Sequence, residues 1–133
     1  MANTFKDILW QLRNSFKIFI KYKDIKMALS SEITCHIPKQ LVLRHSGLGI
    51  VIAKKAKLGR HVTIYQGVCI GNKGGGYPTV ENDVTIFGNS YIIGNITIGH
   101  HSVIGCNSVV LKDVPPYTIV AGNPAKVIGK VKK

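Results

Sequence analysis

The sequence predicts a mainly β fold: a parallel β-helix of about four triangular coils with one N-terminal α-helix. Three observations carry this. Aliphatic residues recur at strict steps of six over Val80, Ile86, Ile92, Ile98, Ile104 and Val110. Four places after each stands a small or branched residue: Val84, Ser90, Ile96, Ser102, Ser108 and Val114. Residues 3–29 follow a different period, of three and four.

The first element is that helix. Phe5, Ile8, Leu9, Leu12, Phe16, Phe19 and Ile20 form one apolar face, and Asn3 or Thr4 supplies a cap. Lys6, Arg13, Lys17, Lys21 and Lys23 take the other face. Such a basic amphipathic segment suits a membrane surface, or packing on its own domain or a neighbouring subunit. The chain therefore divides into a helical segment, 1–30, and a β-helix domain with a C-terminal tail, 31–133.

From Ile37 the period is six, through Leu43, Ile52, Leu58, Ile64 and Ile70. Six residues fit a short strand plus a turn. Three such units close one triangular coil, with aliphatic side chains inside and the next coil stacked above. Two stretches break the rhythm. Arg44–Val51 adds three residues, and Gly71–Thr79 (GNKGGGYPT) adds four as a flexible, protruding loop. Insertions on a solenoid tend to line binding surfaces. Pro115-Pro116 is expected to stop the coil.

Composition narrows the function classes. With 133 residues the chain is one domain, and 45% hydrophobic against 18% charged residues argues for a packed core. The net charge of +12 favours anionic partners. Basic residues on the repeats are not interleaved with aromatics, so nucleic acid is not expected. Cys35, Cys69 and Cys106 form no CxxC pair, which predicts no disulfide framework, no cysteine-rich metal site and a cytoplasmic setting. That setting extends to the inner face of the membrane if the helix binds lipid. No apolar run is long enough for a spanning helix, and with Asp7 near its start and no continuous apolar stretch the N-terminus is not expected to be a secretory leader.

Three stretches together carry a resemblance: LRHSGLGIVI (43–52), LGRHVTIYQGVCIGNKGGGYP (58–78) and IGCNSVVLKDVPPYTIVAGNPAKVIGKV (104–131). They resemble the serine acetyltransferase branch of the hexapeptide-repeat acyltransferases, and within it the small cell-envelope O-acetyltransferases. The resemblance implies a left-handed β-helix, acetyl-CoA as co-substrate, and a homotrimer with active sites between subunits.

Acyl transfer to a hydroxyl needs a base, an oxyanion donor and a positioned thioester. The motif match places the catalytic base on His45. An imidazole can take a proton near neutral pH and return it. Glu32 is the candidate carboxylate to orient the ring. The family's contacts to CoA match Gly71, Asn72, Gly88 and Cys106, and the amide of Gly88 is also the candidate oxyanion donor. Turn geometry alone would also explain these glycines. Lys112, Lys126 and Lys130 are candidates for the CoA phosphates, or else part of a solvated basic tail. Arg44, Gln66 and Tyr77 are candidates for the acceptor side. His61, His100 and His101 fall at turn positions; the adjacent pair is expected to diverge, and no metal is expected. His36 reads as structural.

The sequence departs from serine acetyltransferases where they hold serine. The family has an acidic residue before the base, facing the serine amino group; here it is Arg44. The family has an Arg-His pair facing the serine carboxylate; here it is Gly76-Tyr77. Removing a charge-assisted hydrogen bond costs about 1.5–3 kcal/mol. The expectation is therefore O-acetylation of a sugar hydroxyl, on a polysaccharide or a nucleotide- or lipid-linked glycan precursor. Serine O-acetylation is the alternative, and a non-catalytic binding solenoid is the alternative of another class.

Overall fold

The computed structural model describes residues 32–38 and 40–133. The helix expected over residues 3–29 lies outside them. The described residues form a parallel β-solenoid of about four coils. Its strands make three flat faces of a prism.

The first face stacks β1 (Glu32–Ile33), β3 (Val51–Ile52), β6 (Cys69–Gly71), β9 (Tyr91–Ile93) and β12 (Val109–Val110). The second stacks β4 (Lys57–Leu58), β7 (Thr79–Val80) and β10 (Thr97–Ile98), and ends on a bridge from Ile98 to Val114. The third stacks β2 (Val42–Leu43), β5 (Thr63–Ile64), β8 (Thr85–Ile86), β11 (Val103–Ile104) and β13 (Thr118–Ala121). Antiparallel β14 (Lys126–Lys130) closes that sheet.

Register shows why the period is six. Ile52 pairs with Ile70 and Ile86 with Ile104, each eighteen residues on, which is three units per coil. Ile70 pairs with Ile92 and Ile64 with Ile86 across twenty-two, because the coil between them carries the four-residue insertion. Leu43 pairs with Ile64 across twenty-one, which counts the three-residue insertion.

The aliphatic position of each unit points inward. Ile52, Ile64, Ile70, Ile86, Ile92, Ile98 and Ile104 are fully buried. The second position of the period fills the corners: Ala56, Val62, Val68, Val84, Ile96 and Val114 are buried as well. Ser90, Ser102 and Ser108 are buried polar corners, and each hydroxyl donates to a backbone carbonyl at 2.6–2.8 Å. A buried hydroxyl satisfied in this way avoids a desolvation penalty of roughly 1–3 kcal/mol.

Two expectations change at the ends. The solenoid begins at β1 with Ile33 in the core, four residues before Ile37, the first aliphatic position read from the sequence. The proline pair does not stop the coil. Pro115 and Pro116 lie in a turn, where no ladder N–H is required. The chain then adds β13 in parallel to β11 before β14 reverses it.

Candidate functional site

Three edges join the faces, and the candidate residues divide among them. The turns from the third face to the first carry Arg44, His45, Gln66, Gly88 and Cys106. The turns from the first face to the second carry Asn72, Tyr77 and Lys112, and Gly71 ends the strand that leads into them. Lys126 and Lys130 sit at opposite ends of β14. Lys126 pairs with Ala121 at the His45 edge, and Lys130 pairs with Thr118 at the third edge.

At the His45 edge the first insertion folds tightly onto the coil. His45 (φ 49°, ψ 41°) and Ser46 (φ 58°) occupy the left-handed region, followed by buried Gly47 at φ 71°. The turn is tied down by Leu48 N–H donating to the His45 carbonyl and Ile50 N–H to the Gly47 carbonyl, both at 3.2 Å. Ile50, fully buried, anchors its end. A left-handed residue without glycine costs about 1–2 kcal/mol. Here that geometry holds the imidazole out in solvent, 6.0 Å from the Tyr65 ring. Tyr65 stacks on Phe87 of the next coil at 4.8 Å. This aromatic column is absent from the sequence-based expectations, although a signal for it exists. Both residues directly follow an inward isoleucine, twenty-two positions apart.

Gln66 and Gly88 are stacked neighbours on the same edge. Asn89 N–H donates to the Gln66 carbonyl and Asn107 N–H to the Gly88 carbonyl, both at 3.0 Å. A Cβ on Gly88 would come within 2.8 Å of Gln66 Nε2, so glycine leaves room for the half-buried Gln66 side chain in its present position. Gln66 Oε1 is buried without a hydrogen-bond partner. An orphaned buried acceptor fits a ligand that brings an N–H or O–H donor to it. A pantetheine arm has two amide donors, so these residues fit CoA. Cys106 is exposed one coil further along.

The second insertion is a hairpin rather than a flexible loop. Lys73 and Gly76 exchange backbone hydrogen bonds at 3.1 and 3.0 Å around Gly74-Gly75, both at positive φ and in open space. This is the geometry that two-residue hairpins favour. At its base Asn72 Nδ2 lies 3.4 Å from the Tyr77 hydroxyl, and Lys55 Nζ stands 5.6 Å over the Tyr77 ring.

His45 and Tyr77 are therefore not brought together within one chain, since the full width of the first face separates their edges. Glu32 lies on β1 opposite Val51, the residue that follows the His45 turn. His100 and His101 do not diverge as expected: their Nδ1 atoms lie 3.0 Å apart. Adjacent turn residues converge here because His101 is in the left-handed region. Among the described residues no group of three His, Cys, Asp or Glu is placed to hold a metal ion, and no helix is long and apolar enough to cross a membrane.

The family model for bacterial transferase hexapeptide (six repeats) matches residues 77–112. The serine acetyltransferase of Staphylococcus epidermidis is 44% identical over 96 residues, covering 69% of this chain and 45% of the relative. Soybean serine acetyltransferase complexed with serine superposes with a TM-score of 0.73 at 32% identity, covering 91% of this chain and 52% of the other. A serine acetyltransferase in complex with CoA superposes with a TM-score of 0.72 at 33% identity, covering 91% and 51%. The chain thus spans about half the length of the relatives it matches.

Proposed function

We propose that this chain, which belongs to the hexapeptide-repeat transferase family on its serine acetyltransferase-like side, transfers an acetyl group from acetyl-CoA to a hydroxyl acceptor. The observation that carries the reading is the edge itself. A left-handed turn tied down by backbone hydrogen bonds presents the exposed His45 on the same edge as Gln66 and Gly88, where Gln66 Oε1 is buried without a hydrogen-bond partner.

His45 takes the proton of the acceptor hydroxyl as its oxygen attacks the thioester carbonyl carbon. The amide of Gly88 faces the developing oxyanion. When the C–S bond breaks, His45 returns the proton to the departing thiolate, leaving an acetyl ester and CoA. Gln66, once its buried amide oxygen turns outward, accepts from the pantetheine arm, and Lys126 supplies a cation at that edge. A hydroxyl is a weak nucleophile near neutral pH, so the base contributes roughly 10²–10⁴ in rate.

The site is completed by a second copy. The first face separates the His45 edge from the hairpin edge, and outward on it stand Val51, Cys69, Tyr91 and Val109, apolar and partly exposed. Three copies that turn this face to a common axis bring His45 of one against the Tyr77 hairpin of the next. In a homotrimer, the assembly that the family resemblance implies, this holds for every copy.

Serine is the acceptor that the relatives favour, ahead of the sugar hydroxyl expected from the sequence. The sugar reading persists as the second because Arg44, exposed beside His45, and Tyr77 are poor partners for zwitterionic serine. The test is thiol release from acetyl-CoA with serine, nucleotide sugars and oligosaccharides, for wild type and His45→Ala. Release that depends on acceptor and is lost in the variant is expected. Serine turnover selects the first reading, and sugar-only turnover the second. Turnover that survives His45→Ala removes the mechanism.

A further inference from the structure

The third edge of the prism, between the second and third faces, carries chemistry that acetyl transfer does not use. His61, Asp83, His101 and Tyr117 occupy equivalent left-handed turn positions in successive coils, with φ between 54° and 59°. Backbone bonds lock the coils in step. The N–H groups of Asp83, His101 and Tyr117 donate to the carbonyls of Arg60, Asn82 and His100 at 2.9–3.1 Å. Strand stacking at about 4.8 Å per coil then forces the side chains to meet.

They form a continuous column. Asp83 lies 3.4 Å from His61 Nδ1 and 3.7 Å from His101 Nε2. The His101 ring lies nearly parallel to Tyr117, 4.8 Å between centroids and 11° between planes. His100 stands edge-on to Tyr117 at 5.2 Å, and its backbone N–H donates to Glu81 at 2.8 Å. The column fixes its rings without help from a ligand.

Beside it opens a cavity of about 550 Å³, lined by His100, Pro116, Tyr117, Lys130, Val131 and Lys133. No carboxylate side chain lines it. Lys130 Nζ donates to Thr118 Oγ1 at 2.9 Å, which leaves two of its three ammonium protons for another acceptor. Lys133 Nζ stands 5.3 Å over the Tyr117 ring. Two ammonium groups beside a wall of stacked rings match the oxygens of a phosphate ester. We propose that this edge binds a phosphate-bearing small molecule through Lys130, Lys133 and His100, independently of the acetyl-transfer edge. The length of β14 separates it from Lys126, roughly 13 Å for four steps of a strand.

The test is calorimetric titration of the full chain with inorganic pyrophosphate at physiological salt. Three proteins are compared: wild type, Lys130→Ala/Lys133→Ala, and the charge-matched Lys54→Ala/Lys132→Ala. Wild type is expected to bind, the first variant to bind roughly tenfold or more weakly, and the second to retain binding. Pyrophosphate should also move the histidine ring signals of His100 and His101 in a heteronuclear NMR spectrum, and saturating CoA should leave that response intact. Equal weakening in both variants would show diffuse attraction by net charge and overturn the site. Displacement by CoA would assign the cavity to the co-substrate's own phosphates, and absence of binding by wild type would remove the proposal.

Discussion

The two interruptions of the hexapeptide period are similar in length and opposite in construction. The insertion at Arg44–Val51 folds back on its coil, with Gly47 and Ile50 buried and the backbone strained at His45 and Ser46. The insertion at Gly71–Thr79 projects, with open space where side chains at Gly74 and Gly75 would stand. One fixes a single imidazole on its own chain. The other holds Tyr77 half-buried at its base, on the edge that meets a partner copy in the proposed trimer. Length alone does not tell an insertion's role; burial of its residues does.

The sharpest way to break this contrast is to remove the working end of each. His45→Ala is expected to lower kcat roughly 10²–10⁴-fold with an unchanged melting temperature, because the side chain is exposed. Deleting Lys73–Gly76, which restores the period of six, should keep the melting temperature within a few degrees and CoA binding intact. It should act on the acceptor instead, raising its KM. If hairpin deletion instead abolished CoA binding, the two insertions would not have separate tasks.

Glycine substitutions sharpen the same contrast on stability. A Cβ on Gly47 would stand 3.2 Å from Leu43 Cδ1 at φ 71°, so Gly47→Ala carries both backbone strain and crowding in a buried turn. An expected destabilisation of about 2–3 kcal/mol follows, together with reduced kcat as His45 loses its aim. Gly75→Ala, in open space at φ 82°, carries strain alone, about 1 kcal/mol. Chemical denaturation of both variants measures the difference. Equal destabilisation would mean that the first turn is no better packed than the hairpin.

Much of this was legible in the sequence. The inward isoleucines, the small corner residues and both insertions follow from counting by six, because the coil imposes that period on every unit. His45 was legible mainly through motif resemblance; periodicity adds that it falls in the first insertion, whereas His61 and His100 fall at ordinary turn positions. The division of candidates among edges was not legible. Lys112, Lys126 and Lys130 lie on three different edges, and basic residues in a sequence carry no edge assignment until register is known. The histidine column was hidden for a related reason. Its members are spaced by twenty-two, eighteen and sixteen residues, so an insertion and a shortened last coil break the arithmetic that links them.

Cysteine reactivity gives the smallest and most local test. Cys106 is exposed on the His45 edge, Cys69 is half-buried outward on the first face, and Cys35 is buried. Partial burial pushes the Cys69 thiol above its ordinary range. A raised pKa leaves less thiolate at any given pH below it, and thiolate is the reacting form. A neutral maleimide near pH 7 should therefore label Cys106 first and Cys69 later, with the Cys69 rate climbing as pH rises. Acetyl-CoA should protect Cys106, which lies along the proposed pantetheine groove, and leave Cys69 unaffected. Face packing in a trimer would slow Cys69 further, so dilution to monomer should speed its labelling without changing that of Cys106. Cys69 reacting first in the assembled protein would mean that the first face is open, and the hairpin would then have no neighbour to reach.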